Sequence, residues 1–173
     1  MNAVPVPETE FHLSAEARRL IDRETAKFPP DQRQSAVLAA LAIAQREVGW
    51  LPPAILEQVA THLGMAPVAV YEVASFYHMF QLEPVGRHKI CVCTNLPCQL
   101  SGANRAARHL QARLGIAPGE TTADGGFTLV EGECMGACGD APVLLVDNEH
   151  LHGFMSDEKI DALIAALSAR EGR

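Results

Sequence analysis

The chain has 173 residues, of which 48% are apolar and 20% are charged, so it can bury a core of its own without disulfides or a structural metal. Its 14 Lys and Arg residues against 21 Asp and Glu residues give a formal net charge of −7. That balance argues against a surface for nucleic acid or for an anionic membrane. We therefore expect a partner that is a protein or a redox centre.

The chain shows no recognisable targeting signal. Its N-terminus, MNAVPVPETEF, lacks the basic and apolar regions of a signal peptide and the Arg-rich pattern of a transit peptide. The longest apolar run, residues 36–44, is far shorter than the roughly 18 residues that cross a bilayer. We expect a soluble cytoplasmic protein with no direct membrane insertion, which could still be a peripheral part of an inner-membrane complex. In a reducing compartment, clustered cysteines are more often metal ligands or catalytic groups than disulfides.

The first half of the chain has the apolar spacing of a helical bundle. After an N-terminal tail over residues 1–13, we predict a helical bundle domain over residues 14–82. Ser14 is the expected N-cap of the first helix, which ends before a Pro-Pro pair, and the second and third helices each end at a glycine. A fourth helix is predicted over residues 66–80.

The fourth helix has more apolar surface than one buried face requires. One stripe is formed by Val70, Val73, Tyr77 and Phe80, and the surface is extended by Phe76 and Met79. Either the helix is buried on two sides within its own domain, or one side docks on a partner.

The pattern changes over residues 81–87, where we place a domain boundary, and a second domain is predicted over residues 86–173. In chain order we expect a strand at 88–93, a helix at 101–114, strands at 127–131 and 142–147, a hairpin turn at Asn148-Glu149 and a last helix capped by Ser156. This order predicts a compact α/β sandwich. One cysteine pair would lie at the end of its first strand, and the other on the loop before its third.

Four of the five cysteines form two spaced pairs. Cys93 and Cys98 have C-x4-C spacing, and Cys134 and Cys138 have C-x3-C spacing, so two loops can supply four sulfurs to one centre. A two-iron cluster suits these loose spacings, whereas structural zinc usually takes C-x2-C knuckles in small modules that need the metal to fold. The residues favour a [2Fe-2S] cluster and leave zinc, a thiol or disulfide redox site, or no joint function as alternatives.

Two glycines accompany the second pair. Gly136 and Gly139 can adopt positive φ and turn backbone N–H groups toward an anionic sulfur. The alternative is an ordinary tight turn between strands.

Other catalytic signatures are missing from the sequence. It contains no Gly-rich dinucleotide fingerprint, P-loop, G-x-S-x-G or H-E-x-x-H motif, and no C-x2-C pair of the thioredoxin type. His78, His88 and His109 have no cysteine at ligand spacing. We therefore expect no catalytic residue in this chain, and any nucleotide or flavin chemistry would belong to another chain.

These motifs together match a known family. The segments CTNLPC and GETTADGGFTLVEGECMGACGDAPVLLV, with GWLPP and VYEVASFYHMF upstream, resemble the thioredoxin-like [2Fe-2S] subunit of NADH:quinone oxidoreductase. In bacteria that enzyme is respiratory complex I, and its mitochondrial counterpart contains a similar protein, the flavoprotein 2 subunit. The resemblance covers about residues 14–168. Related subunits occur in NAD-linked formate dehydrogenases and NAD-reducing hydrogenases.

The resemblance implies an α+β protein in which a helical bundle precedes a thioredoxin-like α/β [2Fe-2S] ferredoxin domain. It implies that the cluster ligands are Cys93, Cys98, Cys134 and Cys138. It further implies two partners, a subunit that binds NADH and FMN and exchanges single electrons with the cluster, and the large iron–sulfur subunit of the peripheral arm. The chain would be a subunit of an NADH dehydrogenase without a complete active site. Ala141-Pro142 resembles the proline beside the active cysteines of thioredoxin-like folds.

Two hypotheses of other classes stay open beside this one. The first is a non-catalytic partner-binding module stabilised by zinc, and the second is a thiol oxidoreductase.

The fifth cysteine, Cys91, lies two residues before Cys93, so both point to the same side of a strand. Cys93 lies at the strand's end, where the chain turns toward Cys98, and the family's C-x4-C spacing also selects Cys93. We interpret Cys91 as a small buried apolar residue outside the site.

Overall fold

A computed structural model of the chain describes residues 11–170. The chain divides into two compact units, with the division between Pro84 and Val85. The first ten residues of the predicted tail lie outside the described part. Within the described part, no helix has the length and apolar character needed to cross a membrane.

The first unit is helical. It contains α1 (Ala15–Thr25), a 3₁₀ segment (Pro30–Ala36), α2 (Val37–Val48), α3 (Pro53–Leu63) and α4 (Pro67–Phe76). Ser14 caps α1 as predicted, because its Oγ accepts a hydrogen bond from the Ala17 N–H at 3.0 Å. Gly49 and Gly64 end α2 and α3 with φ angles of 91° and 70°, which glycine adopts at little steric cost.

The core of this unit lies between the helices. Its largest fully buried side chains are Ile21, Leu41, Leu51, Ile55, Val59 and Val70. Each of them stabilises the unit by about 1.5–3 kcal/mol through removal of apolar surface from water.

Helix α4 ends one turn earlier than predicted, at Phe76. The next residue, Tyr77, is extended, with φ −95° and ψ 119°. The Gln45 side chain holds the chain beyond it, because its Nε2 donates to the Met79 carbonyl oxygen at 2.9 Å and its Oε1 accepts from the Gln81 N–H at 2.7 Å. These hydrogen bonds to a side chain of α2 replace the backbone hydrogen bonds that would continue α4, so the predicted helix was too long.

One side of α4 is exposed on this chain. Val70 and Ala74 are buried, whereas the exposed apolar side chains are Val68, Tyr71, Phe76 and, just beyond the helix, Tyr77 and Met79. Phe76 is 79% exposed. The hypothesis that this surface docks on a partner stays a prediction.

The second unit is a four-stranded sheet with helices. Its elements are β1 (His88–Cys93), α5 (Leu96–Leu100), α6 (Ala103–Leu114), β2 (Phe127–Gly132), β3 (Leu144–Val146), β4 (His150–His152) and α7 (Asp157–Arg170). The strand order is β2-β1-β3-β4, with β1 and β2 parallel and the other two pairings antiparallel. The predicted α+β class is confirmed.

Helices α6 and α7 pack on one face of this sheet. Ile90 and Val92 of β1 form a core with α6 and α7 residues that include Leu110, Ile160 and Leu167. Because side chains alternate along a strand, Cys91 and Cys93 lie on the opposite face.

Three local features differ from the predictions. Short helix α5 was not predicted, and α6 begins at Ala103 because Gly102 has a φ of 99°. The hairpin loop has three residues, 147–149, because Val146 pairs with His150, so it begins one residue earlier than predicted. Asp147 and Asn148 have positive φ, 53° and 58°, which aspartate and asparagine adopt more readily than most residues.

Candidate metal centre

The first cysteine pair is brought together by a short turn of helix. Cys93 ends β1, and Cys98 lies in α5. Asn95 caps α5 by accepting a hydrogen bond from the Leu96 N–H at 2.9 Å, and the Gln99 side chain donates to the Thr94 carbonyl oxygen at 2.7 Å. This turn reverses the chain, so that Cys93 and Cys98 lie together in one buried cluster.

The second pair lies in the loop between β2 and β3. The sulfur atoms of Cys134 and Cys138 are 3.7 Å apart. A tetrahedral metal ion that binds two thiolates at about 2.3 Å, as zinc does, holds those sulfurs about 3.8 Å apart. The second pair is therefore already spaced as two ligands of one metal ion.

Glycine has the predicted role at one of two positions in this loop. Gly136 has a φ of 75°, and its N–H donates to the Cys134 sulfur at 3.4 Å. Such a donor stabilises a thiolate. Gly139 does not have positive φ, because it lies within a 3₁₀ turn over Cys138–Asp140, so that prediction was wrong.

The loop of the second pair packs against the first pair, because Met135 and Ala137 contact the buried cluster that contains Cys93 and Cys98. Cys138 interacts electrostatically with both Cys98 and Cys93. Thr94 links the two loops, because its N–H donates to the carbonyl oxygen of Gly132 at 3.0 Å. From residue 11 to residue 170, no three His, Cys, Asp or Glu side chains are grouped tightly enough for a single ion. Among the described residues, the four sulfurs are therefore arranged as two pairs and not as one tight group.

The two pairs have different environments. Cys93 and Cys98 are buried with Ala103 and Val143, against which Met135, Ala137 and Ala141 also pack. Cys134 and Cys138 are exposed. Burial raises the pKa of the Cys98 thiol, and its hydrogen bond with Cys93 raises that pKa further. The hydrogen bond with Cys134 is the main cause that raises the pKa of Cys138. Metal binding at this site would therefore release thiol protons.

The end of the second loop is held by the chain between β4 and α7. The Phe154 N–H donates to the Asp140 carbonyl oxygen at 2.6 Å, and the Met155 N–H donates to the Pro142 carbonyl oxygen at 3.1 Å. The Ala141-Pro142 peptide bond is cis. Gly153 lies so close to Asp140 that an added Cβ would be 2.7 Å from the Asp140 Cβ.

Sequence reasoning missed the residues that join the loops. Thr94, Gly132 and Gly153 carry no metal-binding signature, and their contacts appear only in the folded chain. Asn95 is an exception, because an asparagine followed closely by a proline is a recognised helix start and could have revealed α5.

Histidines His88 and His109 have aspartate partners. His88 Nδ1 is 2.8 Å from an Asp147 carboxylate oxygen, and His109 Nε2 is 2.9 Å from one of Asp161. Both histidines therefore have a polar partner within the chain.

Known proteins are similar to this chain over most of its length. The family described as thioredoxin-like [2Fe-2S] ferredoxin matches residues 21–168. A subunit of the NADH-quinone oxidoreductase of Rhizobium meliloti (strain 1021) is 45% identical over 154 residues, which cover 89% of this chain and 90% of that protein. NADH-quinone oxidoreductase subunit 2 of Thermus thermophilus is 38% identical over 149 residues, which cover 86% of this chain and 82% of the relative.

A solved structure is also similar. A crystal structure of NAD+-reducing [NiFe]-hydrogenase has a TM-score of 0.68 and 30% identity, over 78% of this chain. The present chain spans only 23% of that hydrogenase chain. The family match extends over both units described above and includes both cysteine pairs. The chain therefore belongs to the thioredoxin-like [2Fe-2S] ferredoxin family.

Proposed function

We propose that this chain is the iron–sulfur electron-transfer subunit of an NADH:quinone oxidoreductase. Four thiolates, of Cys93, Cys98, Cys134 and Cys138, would hold one [2Fe-2S] cluster. The observation that carries this proposal is the packing of the loop of Cys134 and Cys138 against the buried Cys93 and Cys98, together with the 3.7 Å spacing of the Cys134 and Cys138 sulfurs. Full-length similarity to relatives named as NADH-quinone oxidoreductase subunits supports the assignment to that complex.

The residues present fit a two-iron cluster. Such a cluster takes four cysteine thiolates, two on each iron, which matches an arrangement in pairs. When bound, the cluster would accept and donate one electron at a time. Cys93 and Cys98 would hold its inner side against apolar residues that exclude water, and the Gly136 N–H would stabilise the Cys134 thiolate. None of these roles needs an acid, a base or a nucleophile.

The proposed partners are other subunits of the same complex. A subunit that binds NADH and FMN would exchange electrons with this chain, and the large iron–sulfur subunit of the peripheral arm would lie nearby. The proposed location is the cytoplasmic side of the inner membrane, as a peripheral part of the complex. Exposed apolar side chains beside the cysteines, Leu96 and Leu100, and the exposed surface of α4 are the proposed contact regions.

A second candidate is the equivalent subunit of a soluble NAD-linked hydrogenase, which the similarity to the NAD+-reducing [NiFe]-hydrogenase favours. The chains that co-purify with this one distinguish the two. Quinone oxidoreductase subunits are expected, and hydrogenase subunits in their place would overturn the assignment to NADH:quinone oxidoreductase.

Metal analysis and spectroscopy test the cluster itself. Protein purified without oxygen should be reddish brown, contain two iron and two sulfide per chain, and give a two-iron paramagnetic resonance signal when reduced. Colourless protein that contains zinc without iron or sulfide would refute the proposal.

Serine substitutions test the ligand set. Cys93→Ser should remove or strongly destabilise the cluster, and Cys91→Ser is its matched control in the same strand. Retained visible absorption in Cys93→Ser with loss in Cys91→Ser would reverse the assignment.

A further inference from the structure

The sulfur of Cys91 occupies the space where a side chain at residue 132 would lie. An ideal Cβ on Gly132 would be 2.4 Å from the Cys91 sulfur and 3.3 Å from the Met135 terminal methyl. Ordinary contacts between such atoms are about 3.5–4.0 Å. Cys91 is only 4% exposed, so its sulfur is enclosed against the Gly132 backbone.

Gly132 is not required for an unusual backbone conformation. Its φ lies outside the left-handed region, so alanine could adopt the same backbone. What excludes a side chain is the neighbouring sulfur.

This contact lies where the two ligand loops leave the sheet. Gly132 is paired with Cys93 in the parallel ladder of β1 and β2, and it precedes Cys134 by two residues. Its carbonyl oxygen accepts hydrogen bonds from the Thr94 N–H at 3.0 Å and from Thr94 Oγ1 at 3.5 Å. A displacement of Gly132 would therefore move the second loop relative to the first.

We propose that Cys91 and Gly132 form a steric contact that sets the spacing of the two ligand pairs, with Cys91 as a positioning residue and not a ligand. The proposal rests on the proposed function, in which the four other cysteines hold a cluster. At this point the two strands leave room for one small group beyond the Cβ of Cys91 on β1 and for no side chain at Gly132 on β2. Both loops start from this pair of strands, so the fit of Cys91 against Gly132 decides whether four sulfurs reach one cluster together.

The proposal predicts that volume removed from the side chain at residue 91 can compensate for volume added at residue 132. Gly132→Ala introduces a methyl group into the space of the sulfur, and Cys91→Ala removes the sulfur from that space. The double variant transfers roughly one heavy atom from β1 to β2 and keeps the local volume nearly constant, which cores tolerate best. Met135 has a flexible side chain and can move by the few tenths of an ångström that remain.

The experiment uses full-length protein purified without oxygen, as wild type, Gly132→Ala, Cys91→Ala and the double variant. Gly86→Ala is the matched control, because a Cβ there would be 2.9 Å from the Phe127 backbone, at the opposite end of the same two strands. The measurements are iron and sulfide content, the paramagnetic resonance spectrum of the reduced protein, the rate of cluster loss to a chelator, and the melting temperature by circular dichroism.

We expect Gly132→Ala to lose its cluster at least fivefold faster than wild type and to show shifted resonance values. Cys91→Ala should also lose its cluster faster than wild type, because the removed sulfur leaves space into which Gly132 can move, and the double variant should recover most of the wild-type spectrum and retention. Gly86→Ala should lower the melting temperature without changing the resonance spectrum, which separates positioning from general stability.

Three results would overturn the proposal while leaving the proposed function intact. They are a Gly132→Ala protein with wild-type retention and spectrum, a double variant without recovery, and cluster loss in Cys91→Ser, which keeps the bulk of the side chain and would make Cys91 a ligand. If Gly132→Ala does not fold, recovery in the double variant supports the contact and its failure to fold overturns it. Wild-type protein without iron and sulfide would overturn the proposed function and the positioning role together.

Discussion

Gly153→Ala should damage the cysteine site from a position outside both ligand loops. The new Cβ would lie 2.7 Å from the Asp140 Cβ and 3.0 Å from the Asp140 carbonyl oxygen. Carbon atoms in ordinary contact are about 3.5–4.0 Å apart, so the two residues must separate by about 1 Å. Overpacking of this kind costs about 1–3 kcal/mol. The separation also stretches the 2.6 Å hydrogen bond from the Phe154 N–H to Asp140.

The strain should reach the metal centre because Asp140 ends the 3₁₀ turn that begins at Cys138. Each kcal/mol lowers the melting temperature of a domain this size by about 4–8 °C. We therefore expect the thermal loss of visible cluster absorption to occur roughly 5–20 °C lower than in wild type. Trp50, the single tryptophan, lies in the helical unit, and its fluorescence transition should shift less.

Gly139→Ala is the matched control for this prediction. Gly139 follows Cys138 directly, yet a Cβ there meets nothing within 4 Å and its φ is outside the left-handed region. We expect its cluster to be lost at the wild-type temperature within about 4 °C, since exposed substitutions usually change stability by less than about 0.5 kcal/mol. The steric reasoning is refuted if Gly139→Ala is the more damaging change, or if Gly153→Ala melts like wild type.

Two further predictions concern stability away from the cysteines. A hydrogen bond from His109, assisted by Arg113, lowers the pKa of Asp161 in the folded protein. The ionised carboxylate therefore stabilises the folded protein at pH values above the pKa that Asp161 has in the unfolded chain. This stabilisation is lost as pH falls through the lower pKa of the folded protein. In urea unfolding, Asp161→Asn should be less stable than wild type at pH 7, and this difference should shrink below about pH 4; an equal difference at both pH values would contradict the linkage. Gln45→Ala removes both hydrogen bonds to the segment after α4 and should cost about 1–3 kcal/mol. In this variant the backbone amide hydrogen of Gln81 should exchange faster with solvent, and an unchanged exchange rate would contradict the role of Gln45.

Elements governed by local signals could be predicted from the sequence. The Ser14 cap, the Gly49 and Gly64 helix ends and the bounds of β1 agree with the structure. Each depends on residues within one turn or on alternation along one strand, so neighbouring positions contain the needed information.

The end of α4 illustrates what local signals cannot supply. Residues 77–83 contain no glycine or proline to stop a helix, and the apolar spacing of residues 77–80 continues the helical pattern. The side chain that ends the helix, Gln45, comes from α2, more than thirty residues earlier. A side chain so distant in sequence cannot be recognised from the pattern of residues around the end of α4.

The metal centre was also only partly predictable from the sequence. Cysteine spacing defines two pairs, but it does not determine that they face each other. That follows from the parallel pairing of β1 with β2, which places Cys93 beside Gly132 and brings the loop of Cys134 to the same edge of the sheet. The joining hydrogen bond from Thr94 to Gly132 spans 38 positions of sequence, so it appears only once the strands are paired.

The two cysteine pairs are unequally buried, so one side of the site is more accessible than the other. Cys93 and Cys98 lie against the domain's own apolar residues, whereas Cys134 and Cys138 are exposed. Electron transfer weakens steeply with distance, so in the proposed function the partner subunit would approach the exposed pair. The loop that carries this pair is also the one held from both ends, by Cys91 against Gly132 and by Asp140 against Gly153. A partner that exchanges electrons with the cluster across this loop needs the loop in one fixed place, and the two close contacts provide that constraint from within the chain.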